Sequence, residues 1–127
     1  MTFSRKRSAS LFSISAIAAL ALFTAAPAFA HAALRNAVPS AGAVVDQPPT
    51  KLSLEFSCAI DLTQVELSVE DPAGHQVALT SPDGEAKSGT TIERTTAALT
   101  PGRYKVAWRV LSVDGHHTRG TYTFDVK

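Results

Sequence analysis

The chain has 127 residues with 12 basic and 11 acidic side chains, a formal net charge of +1 and one cysteine. Three of the basic residues and none of the acidic ones fall in the first thirty positions, so residues 31–127 carry nine basic against eleven acidic side chains, a net −2. That balance leaves no basic patch for a phosphate backbone, which argues against nucleic-acid binding, and a lone cysteine excludes a disulfide-stapled fold.

Residues 1–30 have the form of a secretory leader. Arg5-Lys6-Arg7 make a basic start, Leu11 to Phe23 are mostly apolar, and Ala28 and Ala30 supply the small-x-small pattern that signal peptidase reads. The apolar run is short and interrupted by Ser, Ala and Thr, which falls short of a membrane span. An uncleaved N-terminal anchor is the alternative reading, and Ala26-Pro27-Ala28 is a competing cut site. A cut after Ala30 makes His31 the first residue, with an α-amine and an imidazole that can chelate one metal ion. A cut one or two residues away removes that pair. The remaining 97 residues, 31–127, suffice for one domain with one modest core. No second apolar run long enough for a membrane helix follows, so we expect an exported protein that is not membrane-embedded after cleavage.

From His31 onward short strands alternate with turn residues. Ala33 to Val38 reads as a first strand, closed by Pro39-Ser40-Ala41-Gly42, and Gln47-Pro48-Pro49-Thr50 is a second break. In Lys51 to Ser57, Leu52, Leu54 and Phe56 point one way and Lys51, Ser53, Glu55 and Ser57 the other, the period of a half-buried strand. Val65, Leu67 and Val69 alternate with Glu66, Ser68 and Glu70, and Asp71-Pro72-Ala73-Gly74 turns the chain. Gln76 to Thr80 fits a return strand, ended by Ser81-Pro82-Asp83-Gly84, and Glu85 to Thr91 is polar and reads as a loop. Thr90 to Leu99 is rich in β-branched residues and reads as a strand, followed by the turn Thr100-Pro101-Gly102. Arg103 to Val113 carries Tyr104, Val106, Trp108 and Val110 on one face, and Gly120, Tyr122, Phe124 and Val126 share a face in the last strand. Apolar residues nowhere recur at helical spacing over three turns. About seven short strands without a helix predict an all-β fold, a small antiparallel β-sandwich of immunoglobulin-like or Greek-key type.

Between the last two strands the alternation breaks at Asp114-Gly115-His116-His117-Thr118. A loop presenting an acid and two imidazoles beside a permissive glycine is either a polar hairpin tip or a ligand-bearing loop on a rigid scaffold. The first strand of a sandwich can start where the last hairpin turns, which would bring His31 to Asp114 and His116. Ser112 and Thr118 flank the loop, with hydroxyls in reach of Asp114 or an imidazole.

Here the sequence resembles the CopC family of periplasmic copper-binding proteins. The resemblance is carried by His31 at the mature terminus, Pro39-Ser40-Ala41-Gly42, Leu54-Glu55-Phe56-Ser57, Pro101-Gly102-Arg103-Tyr104, Val106-Ala107-Trp108, Ser112-Val113-Asp114-Gly115-His116 and Gly120-Thr121-Tyr122-Thr123-Phe124, in this order after a leader. It implies a β-sandwich that binds one Cu(II) per chain through the amine and imidazole of His31, the Asp114 carboxylate and the His116 imidazole. Three nitrogens and one oxygen form the tetragonal set that Cu(II) favours, and Cu(II) stands highest in affinity among divalent first-row metals. Ligands bind deprotonated, so affinity should fall as imidazoles protonate, near pH ~6.5 for the unperturbed side chain.

Three departures from the family pattern stand out. His117 occupies a position where proline is common after the motif histidine, so His116 and His117 compete as ligand, with register favouring His116. Met1 is the only methionine, so the methionine-rich segment that some members use for Cu(I) is missing. Cys58 continues the inward parity of Leu52, Leu54 and Phe56, which reads as a small buried hydrophobe. The family often has an acid there close to the copper. By that resemblance Cys58 is a candidate to face the metal, where its sulfur would ligate strongly and invite oxidation. His75, after the Pro72-Ala73-Gly74 turn, reads as solvated, Arg109 as a surface charge, and Trp108 and Tyr104 as core.

The function expected from these features is copper homeostasis or resistance in the periplasm, without turnover. The resemblance implies buffering of copper, or its delivery in trans to an inner-membrane copper transporter of the CopD type, by a monomer. Two other classes remain open. A copper-dependent oxygenase could use the same histidine brace, although a carboxylate on the metal would occupy a position that oxygen needs. A metal-free adhesion or assembly sandwich would be indifferent to His31 and His116.

Overall fold

The computed structural model describes residues 31–127; the secretory leader expected over residues 1–30 and the expected cut after Ala30 lie outside the described residues. Eight strands follow one another along the chain: β1 Leu34–Val38, β2 Val44–Val45, β3 Lys51–Asp61, β4 Glu66–Glu70, β5 Leu79–Thr80, β6 Ser88–Thr96, β7 Gly102–Leu111 and β8 His117–Val126. They form two four-stranded sheets, ordered β1-β3-β6-β5 and β2-β8-β7-β4. The chain crosses between sheets after β1, β2, β3, β4 and β6, while β7 and β8 form the long hairpin that carries the Asp114–His116 loop.

Alternation places the core between the sheets. Leu52, Leu54, Phe56 and Ile60 of β3 are buried, as are Ile92 of β6, Val69 of β4, Tyr104, Val106 and Val110 of β7, and Tyr122, Phe124 and Val126 of β8. Each is an inward position of a period-two strand. Tyr104 anchors the start of β7: its hydroxyl donates to the Thr100 carbonyl at 2.7 Å and accepts from the Thr100 N–H at 2.9 Å. That tyrosine-to-upstream-backbone tie recurs in immunoglobulin-like sandwiches. Tyr104 also stacks on Phe124, with ring centroids 5.5 Å apart.

Several elements differ from the sequence expectation. The two-residue β2 pairs parallel with the end of β8, which makes that sheet mixed. The turn at Gly42, with φ +73°, sends the chain from one sheet edge to the other, and the Gly42 N–H donates to the Thr123 carbonyl at 2.8 Å. A 3-10 turn, Leu62–Gln64, separates β3 from β4 and is capped by Asp61, whose carboxylate accepts the Thr63 N–H at 2.9 Å. The return strand expected over Gln76 to Thr80 shrinks to one bridge, Gln76 to Glu70, before Leu79–Thr80 joins β6 in the other sheet. The polar stretch Glu85 to Thr91 is a loop only to Lys87, because β6 begins at Ser88 and pairs with Asp61. Trp108 lies on the inward face but is half-buried, packed edge-on to Phe56 with centroids 5.1 Å apart. Gly120, its register partner on β8, leaves the space that the indole fills.

Candidate metal centre

Two segments from different sheets meet at one end of the sandwich. The first is the arm His31–Ala33 that leads into β1. Ala32 is fully buried in the core, which fixes the arm's depth. Ser57 of β3 holds the arm's backbone: its N–H donates to the Ala33 carbonyl at 2.8 Å, its Oγ accepts the Ala33 N–H at 2.9 Å, and its hydroxyl lies 3.3 Å from the His31 carbonyl. An irregularity in β1 between Leu34 and Asn36 shifts the register there; Leu34 pairs with Phe56 of β3, and the arm before it meets Ser57.

The second segment is the β7–β8 hairpin tip. The Gly115 N–H donates to the Ser112 carbonyl at 2.9 Å, which closes a turn over Ser112–Gly115, and the Ser112 N–H donates to the His116 carbonyl at 2.9 Å. Gly115 has φ +91°, a left-handed conformation that a side chain would strain. That turn aims Asp114 and His116 to the same side. The tip is also tied to β3 by the Ile60–Ser112 bridge and by the Val113 N–H on the Ala59 carbonyl at 3.1 Å.

The side chains of His31, Asp114 and His116 come together here, each offering one ligand atom within 4.8 Å of the others. His31 is half-buried, while Asp114 and His116 are exposed. The His31 and His116 rings meet edge to face with centroids 4.5 Å apart, and His116 Nδ1 lies 3.3 Å from Asp114 Oδ1. Ser112, itself buried, donates its hydroxyl to Asp114 Oδ1 in a very short contact, and its Oγ accepts the His116 N–H at 3.3 Å. The Ser112 hydroxyl, followed by His116, holds the Asp114 carboxyl below the usual carboxylate range. The arrangement therefore offers an ionised carboxylate and two imidazoles converging on one point at the surface, a hard-and-borderline N/O set suited to a divalent first-row metal.

The other residues singled out in the sequence lie elsewhere. His117 opens β8 on its exposed face, opposite Leu111, and is outside the three-residue cluster. Cys58 is half-buried, packs against the core and is also outside the cluster, in line with its inward parity. His75 is exposed in its turn, with Nδ1 3.6 Å from Asp71. Arg109 is on the outer face, paired with Glu66 at 3.0 Å. Ser112 bonds Asp114 as its position suggested. Thr118 does not: its hydroxyl donates to the Ala32 carbonyl at 2.7 Å. The role of Ser57 was missed, because an outward serine on a strand carries no pattern of its own and its partner backbone comes from a segment far away in sequence.

The CopC domain family matches residues 34–127. Protein YobA of Escherichia coli K12 is 35% identical over 100 residues, which cover 78% of this chain and 81% of that protein. Copper resistance protein C of Escherichia coli is 32% identical over 117 residues, 85% of this chain and 90% of that one. Among solved structures, CopC from Methylosinus trichosporium OB3b superposes with a TM-score of 0.64 at 30% identity, over 76% of this chain and 94% of its own. PcoC, a methionine-rich copper resistance protein from Escherichia coli, gives 0.63 at 30% identity, over 77% and 100%. Among the described residues no helix is long and apolar enough to cross a membrane. With a domain match across nearly all of the described residues, the same two-sheet architecture and relatives that include copper resistance proteins, the chain belongs to the CopC family.

Proposed function

We propose that the protein binds one Cu(II) ion in the periplasm and serves copper homeostasis or resistance, buffering the ion or carrying it to an inner-membrane transporter of the CopD type, with no turnover. The observation that supports this reading is the convergence of His31, Asp114 and His116, whose ligand atoms lie within 4.8 Å of one another. Cleavage after Ala30 would add the α-amine of His31 and complete a set of three nitrogens and one oxygen, the donor set that Cu(II) takes in tetragonal geometry. In that arrangement copper is cargo. The imidazoles bind it in neutral form, and Asp114, kept ionised by Ser112, offsets its charge. The absence of methionine after Met1 favours a single Cu(II) site over exchange with a thioether Cu(I) site.

Competition titration of Cu(II) against a chelator of known affinity tests the reading. Wild type should take up one equivalent, and His31→Ala and His116→Ala should each weaken binding strongly. Copper uptake indifferent to both changes would favour a sandwich module without a metal role.

A further inference from the structure

The two ligand-bearing segments belong to different sheets, and β3 separately fastens each of them. Ser57 holds the His31 arm, and the Ile60 bridge with the Ala59 carbonyl holds the hairpin tip. The third side of that triangle is the bond from the Thr118 hydroxyl to the Ala32 carbonyl at 2.7 Å, which runs directly between the segment carrying His116 and the one carrying His31. Thr118 occupies an inward position of β8, on the same face as Gly120, Tyr122, Phe124 and Val126. Packing alone would be served there by valine, which has the same shape. The hydroxyl is what distinguishes threonine, and it is spent on the backbone next to His31.

We propose that Thr118 is a positioning residue of the metal centre, holding the His31 arm in register with His116 before the ion arrives. This rests on the reading of His31 and His116 as ligands. A ligand arm that is already in place loses less freedom on binding, and partners of this outer kind are worth about 10- to 100-fold in metal affinity. The Thr118 hydroxyl acts through the Ala32 carbonyl, one peptide from His31.

The test compares Thr118→Val, which keeps shape and removes the hydroxyl, with Thr118→Ser, which restores it. Hydrogen exchange on the metal-free proteins reads the arm directly. Thr118→Val should speed exchange at the Ala33 amide while the amides of β7 and β8 keep their protection, and Thr118→Ser should return it toward wild type. In Cu(II) competition, Thr118→Val should bind about 10-fold more weakly and Thr118→Ser within about two-fold of wild type. Wild-type exchange and affinity in Thr118→Val, beside a defective His31→Ala, would overturn this inference alone. Loss of protection throughout the sheets would overturn it too, since it would make Thr118 a general stability residue. If His31→Ala binds copper normally, the ligand reading itself fails, and the exchange result still decides whether Thr118 orders the arm.

Discussion

The imidazoles of His31 and His116 meet edge to face, with centroids 4.5 Å apart and an interplanar angle of 67°. His117, the next residue, begins β8 on its exposed face. His117 is outside the cluster of His31, Asp114 and His116, so the turn presents His116 and not its neighbour to His31. His116→Ala should lower Cu(II) affinity by more than the roughly 10- to 100-fold that outer partners contribute, whereas His117→Ala should fall below that range. Titration of the two variants side by side decides it, and a larger loss in His117→Ala would reassign the ligand.

Acid should remove copper before it unfolds the protein. Imidazoles as a class titrate near about 6.5, and a bound metal competes with that proton. The fold responds lower down. Asp61 is held below the ordinary 3.8 chiefly by the Thr63 hydroxyl, Asp71 by the His75 N–H, and Asp125 by Arg103. Because each folded-state value is depressed, the unfolded chain takes up protons first as pH falls. The stability from these carboxylates is therefore present above about 3.8 and lost as pH falls through the depressed native values. Cu(II) absorbance and far-ultraviolet circular dichroism, followed together in an acid titration, should show two separate transitions, with copper lost at the higher pH. A single shared transition would mean that the metal and the fold are one cooperative unit.

Gly120 is required by Trp108. A Cβ built at Gly120 would lie 2.5 Å from Trp108 Cζ2 and 2.8 Å from Cε2, in the middle of the indole. Gly120→Ala must displace the ring or part the strands, and such overpacking costs about 1–3 kcal/mol. Urea unfolding should show that loss, and emission from Trp108, the one tryptophan, should shift in the folded variant. Unchanged stability would show that the indole has room to move aside.

Tyr122 has the opposite defect. Its hydroxyl is buried with no hydrogen-bond partner among the described residues, and burial pushes its ionisation up to about 12. Tyr104 in the same core has its hydroxyl fully engaged with Thr100. Leaving a buried polar group unsatisfied costs about 1–3 kcal/mol, so Tyr122→Phe should leave stability unchanged or raise it by about 1 kcal/mol. A marked loss in thermal or urea unfolding would mean that this hydroxyl makes a contact essential to the fold.

The strands whose one face is wholly apolar were legible from alternation alone. Leu52, Leu54 and Phe56, or Tyr104, Val106 and Val110, have one arrangement that buries them. What escaped the pattern is set by partners distant in sequence. The parallel pairing of Val44–Val45 depends on where β8 ends, and the shortening of Gln76–Thr80 depends on the chain leaving β4 for β6. At the candidate site, the residue types and the hairpin loop could be read directly, and the closeness of the two ends followed from sandwich topology. The hydroxyls of Ser57 and Thr118 could not be assigned, because what they bond is backbone and backbone carries no signature in sequence.

The most direct measurement is electron paramagnetic resonance of the Cu(II)-loaded, exported protein, its N-terminus established by intact mass, compared with a variant bearing one extra residue before His31. A mature terminus at His31, with one nitrogen-rich tetragonal Cu(II) signal that changes when the extra residue converts the His31 amine into an amide, is the expected result. A mature terminus elsewhere, or an identical spectrum in the extended variant, would contradict a copper site built on the N-terminal histidine.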